Sequence, residues 1–354
     1  MTRAWYLGLY ALMSNVCYGP RLINQQRCAV ARCVDISIKF IRFGSKIPIK
    51  LKNKTLSPGP LMLLASLSLF WGLNWPGMKI ILDELPVWWF RSLCLVVGGL
   101  ILMTISRLSG NRCRLHAREI RPVAVCGTFA ILGWMVFSAY GVLLMPAGRA
   151  SIIAFTMPIW ATLIAFWVLG ERITRTKVVG LLLGMTGLGI LIGSDLLILG
   201  RAPAGALFML MAALSWALGT VLIKKIPWEL PVLSNVAWQL LYSAIPVTVV
   251  ALFSEPFPNL LNLSAAAVLA LIYLFLFPMS FCQWAYFKSV TLLPASLAAV
   301  GTLMVPVIGV YSSAWILGER VGMSELLSLG LIVAALSLVL VVPAWSKPSA
   351  PERS

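Results

Sequence analysis

A lone arginine inside a long apolar run is the sharpest chemical feature of this 354-residue sequence. Arg91 follows Trp88-Trp89-Phe90, five residues into the run at 86–106, where no other charge precedes Arg107. A charge placed in hydrocarbon is costly and turns towards a cavity, a partner or the nearer interface. Contact with an anionic or zwitterionic ligand, structural pairing and snorkelling are all open readings for it. Asn74, Asn235, Gln239 and Gln283 place neutral hydrogen-bonding groups in other apolar runs. Each suits either a bound solute or a tie between two helices. Trp71, Tyr140, Trp216, Trp284 and Tyr286 suit the aromatic walls of a pocket, whereas Trp5, Trp88, Trp89, Trp228 and Trp345 suit interfacial belts. The candidate substrate-binding set is therefore Trp71, Asn74, Arg91, Tyr140, Trp216, Gln239, Gln283 and Trp284.

Other chemistry is poorly provided for. His116 is the only histidine, and no cluster of acids accompanies it, so a membrane enzyme lacks a nucleophile–base or metal constellation. The seven cysteines (17, 28, 33, 94, 113, 126 and 282) show no zinc-like pairing and read as reduced bystanders. No metal and no cofactor are expected, and no phosphate-cradling loop supports ATP-driven pumping. Asp83, Glu84, Glu171, Asp195, Glu255, Glu319 and Glu325 all fall at the ends of apolar runs or between them. Proton exchange through a mid-membrane carboxylate is thus disfavoured, leaving facilitated diffusion or coupling through another group. A channel would want polar residues recurring along one face, and here they are scattered.

The elements that must position these groups are membrane helices. Hydrophobic residues make up 60% of the chain and charged ones 11%, with a mean hydropathy of +0.94. Soluble domains carry about 25% charged residues. Ten runs approach the ~20 residues that span hydrocarbon: 60–80, 86–106, 122–143, 150–169, 178–193, 204–223, 232–253, 265–287, 297–317 and 326–342. Barrel strands would be shorter and alternating, so all read as helices. The net charge of +17 is topological rather than a nucleic-acid footprint. With a cytoplasmic N-terminus, ten crossings put 23 of the 28 Lys and Arg residues on the cytoplasmic side, as the positive-inside rule requires. Both termini are then cytoplasmic.

Two stretches 148 residues apart are near copies: of 30 aligned positions in 144–173 and 292–321, ten are identical. They include Pro158 and Pro306, Trp167 and Trp315, and the endings Leu169-Gly-Glu-Arg172 and Leu317-Gly-Glu-Arg320. A repeat of five helices, an odd number, enters the membrane in the opposite sense, so the expected architecture is two inverted five-helix repeats around a central cavity. Pro158 and Pro306 are expected to kink their helices at equivalent points, where two gates could bend. The Glu-Arg pairs read as salt-bridged helix terminators. Small residues near the prolines (Gly148, Ala150, Ser151 and Ser296, Ala298, Ala299) permit close helix approach.

Trp71-Gly-Leu-Asn74, the arginine after Trp88-Trp89-Phe90, the fourth run with Pro158, and Leu-Gly-Glu-Arg followed by Gly180-Leu-Leu-Leu-Gly184 together resemble the EamA-type transporters of the drug/metabolite transporter superfamily. The resemblance covers 60–342 in both repeats. It implies a basket of ten helices, usually in the bacterial inner membrane, that moves a small metabolite such as an amino acid by a non-ATP route. Multidrug efflux is the alternative reading and a passive channel the lesser one. The expected divisions are a basic extension at 1–58, poorly ordered and without assigned function, repeats at 59–194 and 203–343, and a cytoplasmic tail at 344–354. Expected partners are a small-molecule substrate and the lipid bilayer. Ten helices suffice for a pathway in one chain, which leaves the oligomeric state open.

Overall fold

The computed structural model describes residues 58–170, 174–199, 204–286 and 295–338. Residues 1–57 and the tail, with Trp5 and Trp345, lie outside the described residues. So do Glu171, Arg172, Arg201 and Lys288, and the side chains of Asp195, Ser296, Ala298 and Ala299. Among the described residues there is no strand. In lipid each backbone polar group must be satisfied within its own segment, and apolar runs of this length can do that only as helices.

In chain order the helices are α1 (Pro58–Gly72), α2 (Asn74–Leu82), α3 (Val87–Leu108), α4 (Ala117–Cys126), α5 (Trp134–Leu144), α6 (Ala147–Ala154) and α7 (Met157–Leu169). They continue as α8 (Arg175–Leu199), α9 (Ala204–Lys225), α10 (Val232–Ser254), α11 (Ala265–Leu276), α12 (Ala295–Leu317) and α13 (Met323–Leu336). Wider π turns occupy Gly127–Gly133, joining α4 to α5, and Phe277–Phe281, extending α11. Seven described helical segments are long and apolar enough to cross a membrane, and Met304–Leu317 and Met323–Leu336 are shorter apolar helices. The chain is therefore a multi-pass membrane protein. Its helices pack in an ordered set of pairs: α3 along α10, α8 along α13, α9 against α5 and α7, and α12 against α1 and α6, with α2 beside α11.

The interruptions have a covalent cause. Proline has no N–H, so the carbonyl four residues back loses its helical partner. Pro76 stands four residues after Gly72, the last residue of α1, and Pro158 four after Ala154, the last of α6. Each proline then sits in the first turn of the next helix, where an N–H would be unpaired anyway. Of the two prolines expected to kink their helices, Pro158 stands in the middle of the span Ala147–Leu169, directly after its interruption. Pro158 opens α7 beyond a break, whereas Pro306 lies inside α12.

The repeated Leu-Gly-Glu-Arg ending has two separate physical reasons. Gly170 and Gly318 hold φ of 69° and 70°, the left-handed conformation that closes a helix and strains any residue with a Cβ. Gly318→Ala should therefore cost about 1 kcal/mol. Thermal denaturation in detergent should show a lower apparent melting temperature than for Gly330→Ala, where a Cβ meets nothing within 4 Å.

Glu319, expected to end its helix as a salt-bridged terminator, makes no ion pair among the described residues. Its carboxylate instead accepts the backbone N–H groups of Ala147 (2.6 Å) and Gly148 (2.9 Å) at the start of α6. Other carboxylates join distant segments at the same end of the bundle. Glu255 accepts from the amides of Trp88 and Trp89 at 3.1 Å, and Glu84 accepts from the Ser264 amide at 2.7 Å. The Ser264 hydroxyl and amide hold Glu84 below the usual carboxylate range. Lys79 donates to the carbonyls of Val142 and Leu143 at 3.0 Å, and Arg149 pairs with Glu325. At the opposite end Arg118 pairs with Glu229, and Trp238 donates to the Cys113 carbonyl at 2.8 Å.

Candidate functional site

The irregular points of separate helices meet at one place. A cavity of about 50 Å³ is lined by Trp71, Asn74 and Trp75 from the α1–α2 break and by Phe155 and Met157 from the α6–α7 break. Trp134 and Met135 follow the first π turn, and Pro278 and Met279 belong to the second; Trp216, Gln283 and Val305 complete the wall. A broken or widened helix exposes backbone and side chains that a regular one keeps against its own neighbours. A cavity of about 50 Å³ admits a few waters, whereas small-molecule sites occupy about 300 Å³ or more. The walls must part before a metabolite-sized solute can enter. A wider depression of about 320 Å³ lies at Arg114, Leu115, His116 and Ala117 between α3 and α4. That depression gathers none of the candidate residues.

Four of the eight candidates named from the sequence line the cavity: Trp71, Asn74, Trp216 and Gln283. Trp75 and Trp134 also line it and link the aromatic wall, with centroids 6.5 Å apart from each other and 5.2 Å between Trp134 and Trp216. Trp75 had a legible signal, since its spacing of four from Trp71 would put both on one face of an unbroken helix. Trp134 had none.

Polar capacity remains unused at the wall. The Asn74 amide donates to the Met78 sulfur at 3.1 Å, but its Oδ1 and the Trp75 indole N–H are buried without partners. Arg91 lies behind this wall. It is 2% exposed, so it does not snorkel. Its Nη2 donates to Ser138 Oγ at 2.8 Å and lies 3.8 Å from the same Met78 sulfur, and the guanidinium carbon sits 4.7 Å from the Phe90 ring centroid. Its Nε has no partner, and no carboxylate among the described residues pairs with it. Ser138 in turn donates to the carbonyl of Met135, a wall residue, at 3.4 Å. Met78 and Ser138 thus connect the buried cation to Asn74 and Met135.

The remaining candidates lie elsewhere. Gln239 donates to Asn235 one turn away at 2.9 Å, both buried, as a tie within α10. Tyr140 stacks on Phe208 at 5.3 Å, and Trp284 packs on Phe281 at 5.9 Å. Tyr286 packs on Trp71 at 5.4 Å, behind the wall. Trp89, read as a belt residue, is buried at 8% exposure, its amide donating to Glu255 and its ring packed edge-on against Phe257 at 4.8 Å. Among the described residues no group of His, Cys, Asp or Glu is arranged to hold a metal.

A model of the EamA-like transporter family matches residues 59–193 and again 203–341. The uncharacterized transporter YvbV of Bacillus subtilis (strain 168) is 30% identical over 285 residues, covering 78% of this chain and 90% of that protein. A probable amino-acid metabolite efflux pump of Escherichia coli (strain K12) is 26% identical over 294 residues, covering 78% and 93%. A solved crystal structure superimposes with a TM-score of 0.59 at 19% identity, over 80% of this chain and 97% of that one, a likeness of fold.

Proposed function

The chain belongs to the EamA-like transporter family, and on that premise we propose that it is a secondary transporter that exports an amino acid or related polar metabolite by alternating access. The observation that carries this reading is the convergence on one cavity of the α1–α2 and α6–α7 breaks with the π turns at Gly127–Gly133 and Phe277–Phe281. Discontinuous helices at the meeting point of two repeats are how many secondary transporters build a midplane site.

In this reading ten helices form two inverted repeats, 59–194 and 203–343, with both termini in the cytoplasm of a bacterial inner-membrane protein. The charge asymmetry of the loops supports the orientation. The pairing of helices supports the repeat. Helix α1 meets α12 and α2 meets α11, and α9 in turn meets α5 and α7. At the offset of 148, the π turn at Gly127–Gly133 falls on 275–281, overlapping the second one.

Trp71, Trp75, Trp134 and Trp216 give the solute an apolar enclosure, while Asn74, Trp75 and Gln283 provide hydrogen bonds. Arg91 sets the charge preference. A buried cation without a carboxylate raises the cost of a second cation nearby and lowers that of a carboxylate. This favours metabolite export over efflux of cationic drugs.

The test is counterflow in liposomes with labelled amino acids, nucleosides and cationic drugs. The expected result is saturable uptake of a carboxylate-bearing solute, accelerated by the same solute on the opposite side. Flux without that acceleration marks a channel, and saturable flux of cationic drugs alone overturns the substrate class.

A further inference from the structure

Helix α6 is a short, separate lever. Its eight residues, about 12 Å long, run from the Glu319 contact to the break before Met157, and the residue at that break, Phe155, lines the cavity. Its start is clamped in three ways. The Glu319 carboxylate takes the amides of Ala147 and Gly148, and the Arg149 Nε donates to Glu325 at 2.5 Å. The third clamp is close packing on α12. A Cβ on Gly148 would lie 3.2 Å from Glu319 Oε2 and 3.4 Å from Val310 Cα, and one on Gly309 would lie 2.9 Å from Ser151 Cβ. Glu319 lies in the segment joining α12 to α13 and Glu325 in the first turn of α13, so both carboxylate ties cross between the halves of the chain.

We propose that Glu319 is the latch of a gate whose moving part is α6. With its carboxylate seated on the start of α6, the helix is held against α12 and the cavity is shut at that end. When Glu319 lets go, α6 swings about the Phe155–Thr156 break, and Phe155 leaves the cavity wall. A carboxylate suits the task because it satisfies two unpaired amides at a positive helix end, yet both partners can be re-solvated at the membrane surface. The Arg149–Glu325 pair holds α6 in register for re-latching. The proposal rests on the alternating-access reading above, and its test needs no knowledge of the solute.

Ser313 is the reporter: it lies on α12, fully buried, and its Cβ is 3.7 Å from where a Cβ on Gly148 would stand. Ser313→Cys is introduced into the full chain and treated with a membrane-impermeant maleimide in right-side-out and inside-out vesicles. Labelling is read as the increment over protein that retains Ser313. Glu319→Gln is expected to raise the rate by about tenfold, the effect of shifting an equilibrium by roughly 1.4 kcal/mol. The rise should appear on one side of the membrane only. Glu325→Gln, which weakens the neighbouring pair, is expected to act in the same direction and serves if the first variant does not fold. An unchanged rate in folded Glu319→Gln and Glu325→Gln proteins overturns the latch, as does a rise from both sides equally. If labelling responds while counterflow detects no solute, the latch stands and the transport reading fails. If solute moves while labelling does not respond, the reverse holds.

Discussion

Replacing Arg91 by methionine is expected to leave the protein as stable as before, or more so, while saturable transport falls by about tenfold or more, the worth of one charge-assisted contact. The two parts of this result have separate causes. Taking a cation out of water costs several kcal/mol even after relaxation, and the cost is recovered only with a good counter-charge. Arg91 has Ser138 at 2.8 Å, a distant sulfur and a ring face, but no carboxylate and no partner for Nε. Those contacts satisfy part of the guanidinium. Methionine fills similar space without the desolvation penalty, so thermal denaturation in detergent should show no loss. If Arg91 serves only to hold α3, α5 and the α1–α2 break together, the outcome reverses: the melting temperature drops and counterflow by the surviving protein is unchanged. Arg91→Lys separates charge from shape. It keeps the cation but loses the planar fork, and should retain part of the transport lost in methionine.

The helices were legible because lipid leaves the backbone so few choices. The run at 204–223 became α9 (Ala204–Lys225), and the run at 232–253 became α10 (Val232–Ser254). The breaks were less legible. Pro76 and Pro158 announce a lost hydrogen bond, but Pro306 announces the same and its helix continues, so tertiary packing decides between a break and a tolerated proline. Of the wall, Trp71 and Asn74 at the first break were found together with Trp216 and Gln283, whereas Trp75, Trp134 and the second break's Phe155 and Met157 were not. Trp71 and Asn74 flank the interruption before Pro76. Gln239, equally polar and equally central in its run, spends its amide on Asn235. Composition cannot separate those cases, because a side chain four residues away on the same helix is always in reach. Glu319 was read from its arginine neighbour, although its carboxylate serves a helix start some 170 residues earlier in the chain. That pairing depends on which helix ends share a face of the bundle.

Gly219→Ala should be the most damaging alanine in the bundle, although alanine is the better helix former by about 1 kcal/mol. A Cβ at position 219 would stand 2.5 Å from the N, Cα and Cβ of Ala130, inside the first π turn. Backbone cannot rotate away as a flexible side chain does, so the two segments must separate. Overpacking of this kind costs about 1–3 kcal/mol and sometimes more, which outweighs the gain in helix propensity. Gly189→Ala in α8 is the control, since a Cβ there meets nothing within 4 Å and only the propensity gain remains. The apparent melting temperature is therefore expected to fall for position 219 and to hold or rise for position 189. Function should follow the same contact. Trp216 stands one turn before Gly219 and Trp134 directly after the π turn, their centroids 5.2 Å apart across the cavity wall. Separating α9 from that turn parts these two rings, so the Gly219→Ala protein that does fold is expected to lose affinity for its solute, read as a raised half-saturation concentration in counterflow. A variant that melts early yet binds as tightly as the parent would show that the Trp134–Trp216 contact is packing alone, and would confine the enclosure to Trp71 and Trp75.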